Sequence, residues 1–138
     1  MKVSYGRRVA VTLAAVLVLT ACGTSRGGGK KAVANTGTTY SVDAKGVQHV
    51  RIDGSTDDRF DPSSFTVHPG RVDIELHNTG GAPHDLTFAD PKLGSTGTVE
   101  SGGTARLRIS ARATGHYPFV CEIHVRQGMT GTMIVKAR

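Results

Sequence analysis

At 138 residues the chain has room for one small domain beside any targeting segment. Its 38% hydrophobic residues, 18 glycines and lack of Trp suit a turn-rich β protein better than a helical one, and leave no aromatic platform on which a nucleic acid could stack. The net charge of +6 belongs to the residues before Tyr40, because from there onward 11 basic residues meet 11 acidic ones; the domain is no nucleic-acid binder by charge.

The chain opens with Lys2, Arg7 and Arg8, then runs apolar from Val9 to Leu19. That length matches the hydrophobic region of a signal peptide and is too short to span a bilayer. Leu19-Thr20-Ala21-Cys22 follows. Small residues with a Cys directly after them resemble the lipobox of bacterial lipoproteins. The resemblance implies a signal peptide over 1–21 and a lipidated Cys22 as first residue of the mature protein. An ordinary signal peptide with an incidental Cys is the alternative, and the Arg7-Arg8 pair matches a twin-arginine signal poorly. The chain is therefore expected to be exported and anchored to the outer face of the bacterial cell membrane, or to a periplasmic membrane surface. Residues 22–41 are Gly, Thr, Lys and Ser with no hydrophobic period, and read as a flexible linker. Its Arg26, Lys30 and Lys31 suit an anionic membrane surface.

From Val42 to the end the pattern changes to short alternating runs between turn residues. Strands are predicted at Gln48–Ile52, Ser64–His68, Val72–Asn78, Asp85–Phe88, Arg106–Ile109, His116–Cys121 and Thr130–Val135, with a brief edge strand at Thr98–Glu100. Val72, Ile74 and Leu76 should face one way, and Asp73, Glu75 and His77 the other. Thr56–Pro62 reads as a loop, and no segment keeps a helical period. Seven to eight strands with turns at this spacing predict an all-β sandwich.

The chemistry concentrates in Gly115–Val135, which holds Cys121, His124 and Met129. A thiol, an imidazole and a thioether are a donor set that copper selects among first-row metals. The chain has only two Cys, and with Cys22 assigned to lipidation Cys121 lacks a disulfide partner. A free thiol outside the cytosol is open to oxidation, which narrows Cys121 to a buried core residue or a metal ligand. His84 is the candidate for the missing imidazole. Pro83 fixes its own φ and restricts Ala82, so the chain enters His84 stiffly. Two His, one Cys and a weak axial Met are the ligands of a blue-copper site. His49, His68, His77 and His116 read as surface or structural residues, with His116 the nearest competitor as a ligand. Met133 reads as core, and Arg106 and Arg108 as a solvated strand face.

Over about residues 47–138 these pieces resemble the cupredoxin family, the small blue-copper proteins of the plastocyanin, azurin and amicyanin type. The resemblance rests on Phe60-Asp61-Pro62, Val67, Pro69-Gly70, the strand ending in Asn78, and the corner Gly81-Ala82-Pro83-His84-Asp85. It continues through Gly115-His116-Tyr117-Pro118-Phe119, Cys121, His124, Gly128-Met129 and Gly131, with a plastocyanin-like Cys-to-Met spacing. It implies a Greek-key sandwich with one copper ion, cycling between Cu(I) and Cu(II), at one end. His84, Cys121 and His124 would be strong ligands and Met129 the axial one. The Asp85 N–H would point at the Cys121 sulfur, and its side chain would brace the ligand loop. The implied function is single-electron transfer by a monomer that is not an enzyme. Its redox partner protein, of cytochrome or copper oxidase type, would dock on an apolar rim of Ala82, Pro83, Val125 and Met129. The alternative is a copper-binding lipoprotein for storage or delivery; one compact ligand set and only three Met favour electron transfer.

Overall fold

The computed structural model describes residues 40–138, so the expected signal segment, Cys22 and linker residues 22–39 lie outside the described residues. Nine strands follow in chain order: β1 (Tyr40–Val42), β2 (Gln48–Gly54), β3 (Phe60–Asp61), β4 (Ser64–Val67), β5 (Gly70–Asn78), β6 (Thr87–Phe88), β7 (Thr104–Ala111), β8 (Gly115–Val120) and β9 (Thr130–Val135). One sheet has the order β1-β2-β5-β7, with β3 also paired to β2; the other has the order β4-β9-β8-β6. The β2/β5 and β4/β9 pairs are parallel, because the chain leaves one sheet and returns beside an earlier strand. The result is the expected two-sheet sandwich.

Alternation decides what lies between the sheets. Val50 and Ile52 of β2, and Val72, Ile74 and Leu76 of β5, are all buried, as are Phe65 and Val67 of β4 and Met133 and Val135 of β9. All four Phe of the chain form one cluster centred on Phe119, whose ring lies 5.1 Å from Phe60, 5.6 Å from Phe88 and 5.9 Å from Phe65. These distances fit edge and tilted aromatic packing. Phe119 thus fixes β8 two residues before Cys121.

At the far end of the sandwich, buried Gln48 joins three segments. Its side chain accepts from Tyr40 Oη and the His68 N–H, and donates to the His68 carbonyl. The Tyr40 contact helps explain why Tyr40–Val42 pairs as a strand, partly inside the segment read as linker. The strand β3 also lies inside an expected loop, and β5 begins two residues earlier than predicted. Conversely, Asp85–Phe88 yields only the two-residue β6, and Thr98–Glu100 only a bridge between Val99 and His84. Asp85 and Leu86 are drawn out of regular pairing: Leu86 N–H donates to Thr96 Oγ1, and the Asp85 carboxylate turns inward.

Candidate metal centre

The segment that delivers His84 is held from within by Asn78, the fully buried last residue of β5. Its Nδ2 donates to the carbonyls of Ala82 and Val99, both at 2.8 Å, and its Oδ1 accepts from the Gly80 N–H at 2.8 Å. His84 then exchanges two backbone hydrogen bonds with Val99. Two glycines make space for its ring. A Cβ at Gly80 would lie 2.9 Å from His84 Nε2, and one at Gly54 would lie 3.0 Å from His84 Cδ2.

The other ligand segment leaves β8 at Cys121 and returns at β9. The Cys121 N–H donates to the Met129 carbonyl (3.0 Å), and the Met129 N–H to the His124 carbonyl (3.2 Å). A single 3-10 turn, Val125–Gln127, separates His124 from Gly128, which takes φ 89 and reverses the chain. Met129 is fully buried, with its main chain bonded to Cys121 and His124.

These segments bring one donor from each of His84, Cys121 and His124 within 4.8 Å of one another. The two Nδ1 atoms are 3.1 Å apart, and the Cys121 Sγ lies 3.5 Å from His124 Nδ1 and 3.9 Å from His84 Nδ1. A first-row metal sits about 2.0–2.3 Å from nitrogen and sulfur donors, so three donors spread evenly around it lie about 3.5–3.9 Å apart. Two edges of the observed triangle, 3.5 and 3.9 Å, are of that size, and the Nδ1–Nδ1 edge, 3.1 Å, is shorter.

Protonation supports the same use. The Ser55 carbonyl, 3.1 Å from His84 Nε2, can only accept, so Nε2 carries the ring hydrogen and Nδ1 presents a lone pair. Burial, and then the neighbouring His124, hold the His84 pKa below its usual value, which keeps the ring neutral. On the second ring, Nδ1 lies 3.5 Å from the Cys121 sulfur and the Asp58 carboxylate lies 3.6 Å from Nε2. Burial raises the Cys121 pKa, opposed by main-chain hydrogen bonds from Asp85 and His124 to the sulfur. The Asp85 Oδ1 accepts from the Cys121 thiol at 3.4 Å and from the Glu122 N–H at 2.9 Å, while Thr87 donates to Oδ2. Asp85 therefore ties the strand after His84 to the segment after Cys121.

The structure thus gathers His84, Cys121, His124, Met129 and Asp85 at one end of the sandwich, with Pro83 half-buried at the entry to His84. His116 is exposed and takes no part. His49 faces Asp43, His68 bonds the Lys136 carbonyl, and His77 bonds Arg51 and Asp53. The apolar rim needs a correction. Met129 has no exposed surface and cannot belong to it; Ile123 and Val125, 45% and 44% exposed, are the large apolar side chains beside His124. Glu122 offers the site its N–H, not its side chain. Sequence reasoning missed Ser55, Asp58 and Gly80. A carbonyl acceptor leaves no mark in residue type, and Asp58 looks like any loop acid.

A model of the family described as "Cupredoxin-like domain" matches residues 11–135. Plastocyanin A/B of Petroselinum crispum is 31% identical over 84 residues, covering 55% of this chain and 86% of the relative. Plastocyanin of Daucus carota is 30% identical over a stretch of the same length and coverage. Among solved structures, auracyanin A, a "blue" copper protein from Chloroflexus aurantiacus, aligns with TM-score 0.59 at 18% identity, over 66% of this chain and all of that one. The metal binding domain of the Cu(I)-exporting ATPase CopA from Streptococcus pneumoniae, with Cu(I), aligns with TM-score 0.58 at 16% identity, over 70% and 92%. At such identities these two structures speak for the fold alone.

Proposed function

The chain belongs to the cupredoxin-like domain family, and on that premise we propose that it carries single electrons through one copper ion held by His84, Cys121 and His124, with Met129 as a weak axial ligand. The observation that carries this reading is the convergence of two imidazole nitrogens and one thiol in a triangle close to metal-binding size. When bound, copper supplies a one-electron couple between Cu(I) and Cu(II).

The protein's own part is to hold the donors still. Ser55 orients His84, Asp85 spans the two ligand segments, and Asn78 fixes the approach to His84. Cys121 and His84 are fully buried, so water is kept from the sulfur. Burial raises the Cys121 pKa, and main-chain hydrogen bonds from Asp85 and His124 partly offset that rise. His124, with 11% of its side chain exposed, is the ligand nearest the surface and offers the short path to a redox partner. Lipidation of Cys22 would hold the exported chain at a membrane face, concentrating it near membrane-bound partners; the Leu19–Cys22 sequence supports this, and Cys22→Ala should then move the protein from the membrane fraction to the soluble one.

The deciding experiment loads the domain with Cu(II) and records visible and EPR spectra. An intense thiolate-to-copper band with narrow hyperfine splitting is expected, and Cys121→Ser should abolish it. A pale, tetragonal spectrum would overturn the reading. Reversible reduction without loss of the ion is the further mark of a carrier, whereas loss to a chelator in one oxidation state would indicate copper delivery.

A further inference from the structure

Outside the ligand segments, one short loop touches both imidazoles. It runs from Ser55 to Arg59 and is closed by hydrogen bonds from the Ser55 N–H and Oγ to the Arg59 carbonyl. The Ser55 carbonyl accepts from the Asp58 N–H as well as from His84 Nε2. Asp58 has φ 53, the only positive φ of a non-glycine among the described residues. Glycine would adopt that conformation freely, so what an Asp adds there is its side chain. That side chain is 30% exposed and places Oδ1 3.6 Å from His124 Nε2, on the ring edge opposite the donor triangle.

We propose that Asp58 is a positioning residue for His124: its carboxylate holds the outer edge of the ring in the Nε2–H form, and its charge lowers the reduction potential of the loaded centre. The proposal rests on the copper reading above. At 3.6 Å the carboxylate is an ionic neighbour of the ring, and its charge favours a hydrogen on Nε2, which leaves Nδ1, 3.5 Å from the Cys121 sulfur, with the lone pair. Carboxylate partners fix metal-binding His in this way and raise their basicity. Oxidised copper carries one more positive charge than reduced copper, so a fixed anion one imidazole away favours the oxidised state. The loop therefore sets both rings from outside, His84 through a neutral carbonyl and His124 through a charge.

Two variants separate charge from geometry. Asp58→Gly removes the side chain and suits the backbone, so the fold should persist. Asp58→Asn keeps an acceptor oxygen and removes the charge. In the metal-free protein, nitrogen NMR should find His124 as the Nε2–H tautomer in the wild type and in Asp58→Asn, and as a mixture in Asp58→Gly. With copper bound, both variants should shift the one-electron equilibrium about tenfold toward the reduced state, which is about 59 mV. An unchanged tautomer in Asp58→Gly, or an unchanged potential in Asp58→Asn, would overturn the proposal. A wild-type protein without the thiolate-to-copper band would sink the copper reading instead, and the metal-free tautomers would still judge the contact between Asp58 and His124.

Discussion

Met129 is fully buried, and its backbone is bonded to both Cys121 and His124, so its side chain can be exchanged with little effect on where the ligand loop sits. Met and Leu are close in volume, and such swaps in a core cost less than about 1.5 kcal/mol. Met129→Leu should therefore melt near the wild type and keep the thiolate-to-copper band. Its potential should rise, because the axial ligand tunes the copper couple; loss of copper would show Met129 to be a principal ligand. Asn78 is the opposite case, a residue that touches no donor and yet decides where one lies. Asn78→Ala removes three hydrogen bonds and leaves the Ala82 carbonyl without a partner for its 2.8 Å bond. A loss of about 2–3 kcal/mol is expected in denaturant unfolding, together with weaker copper retention. The four ligand candidates were legible in the sequence because thiol, thioether and imidazole are scarce and chemically distinctive. The parts that aim them were not: Asn78 looked like the end of a strand, and Ser55 acts through its main chain.

The hairpin of β8 and β9 is the element that carries three of the four ligand candidates, and its stiffness comes from packing at its base. Phe119 and Gly131 lie opposite each other in the register, and the Phe119 ring occupies the space where a side chain at 131 would go. A Cβ there would collide with that ring and lie 2.7 Å from the Ser63 carbonyl. Neither neighbour can yield easily, since Phe119 anchors the aromatic cluster and Ser63 O accepts from the Thr132 N–H. Gly131→Ala should cost about 1–3 kcal/mol by overpacking, seen as a lower melting temperature. The copper spectrum should also broaden, as the base of the loop shifts. Long alternating strands such as β5 were plain in the sequence because one face is apolar throughout. The short β1 and β3 were not, since three and two residues are too few to show a period. They exist through their partners, β1 through β2 and the Tyr40–Gln48 bond, and β3 through β2.

Charges over the domain from Tyr40 onward are arranged to cancel. On the outer face of the first sheet, the register sets His49, Asp73 and Arg108 in one row and Arg51, Glu75 and Arg106 in the next. Within the rows Glu75 pairs with both arginines, and Asp73 with Arg108. Such pairs add little stability one by one, but they leave this face without a field of one sign. Arg106 and Arg108, read from sequence as a solvated face, are thus exposed yet paired. With 11 basic and 11 acidic residues from Tyr40 onward, the domain offers a partner little steering over distance. What it offers near His124 is the apolar pair Ile123 and Val125. Encounter should then depend on short-range apolar contact, and electron exchange with a soluble cytochrome used as a probe should respond accordingly. Raising salt from about 0.01 to 0.1 M cuts the screening length from about 30 to about 10 Å, and should change the second-order rate less than about twofold. Replacing Ile123 and Val125 by Ser should slow it about tenfold, equivalent to about 1.4 kcal/mol of lost contact, without altering the potential, since neither side chain supplies a donor. A steep salt dependence, or a Ser variant that reacts at the wild-type rate, would place the docking surface elsewhere on the molecule.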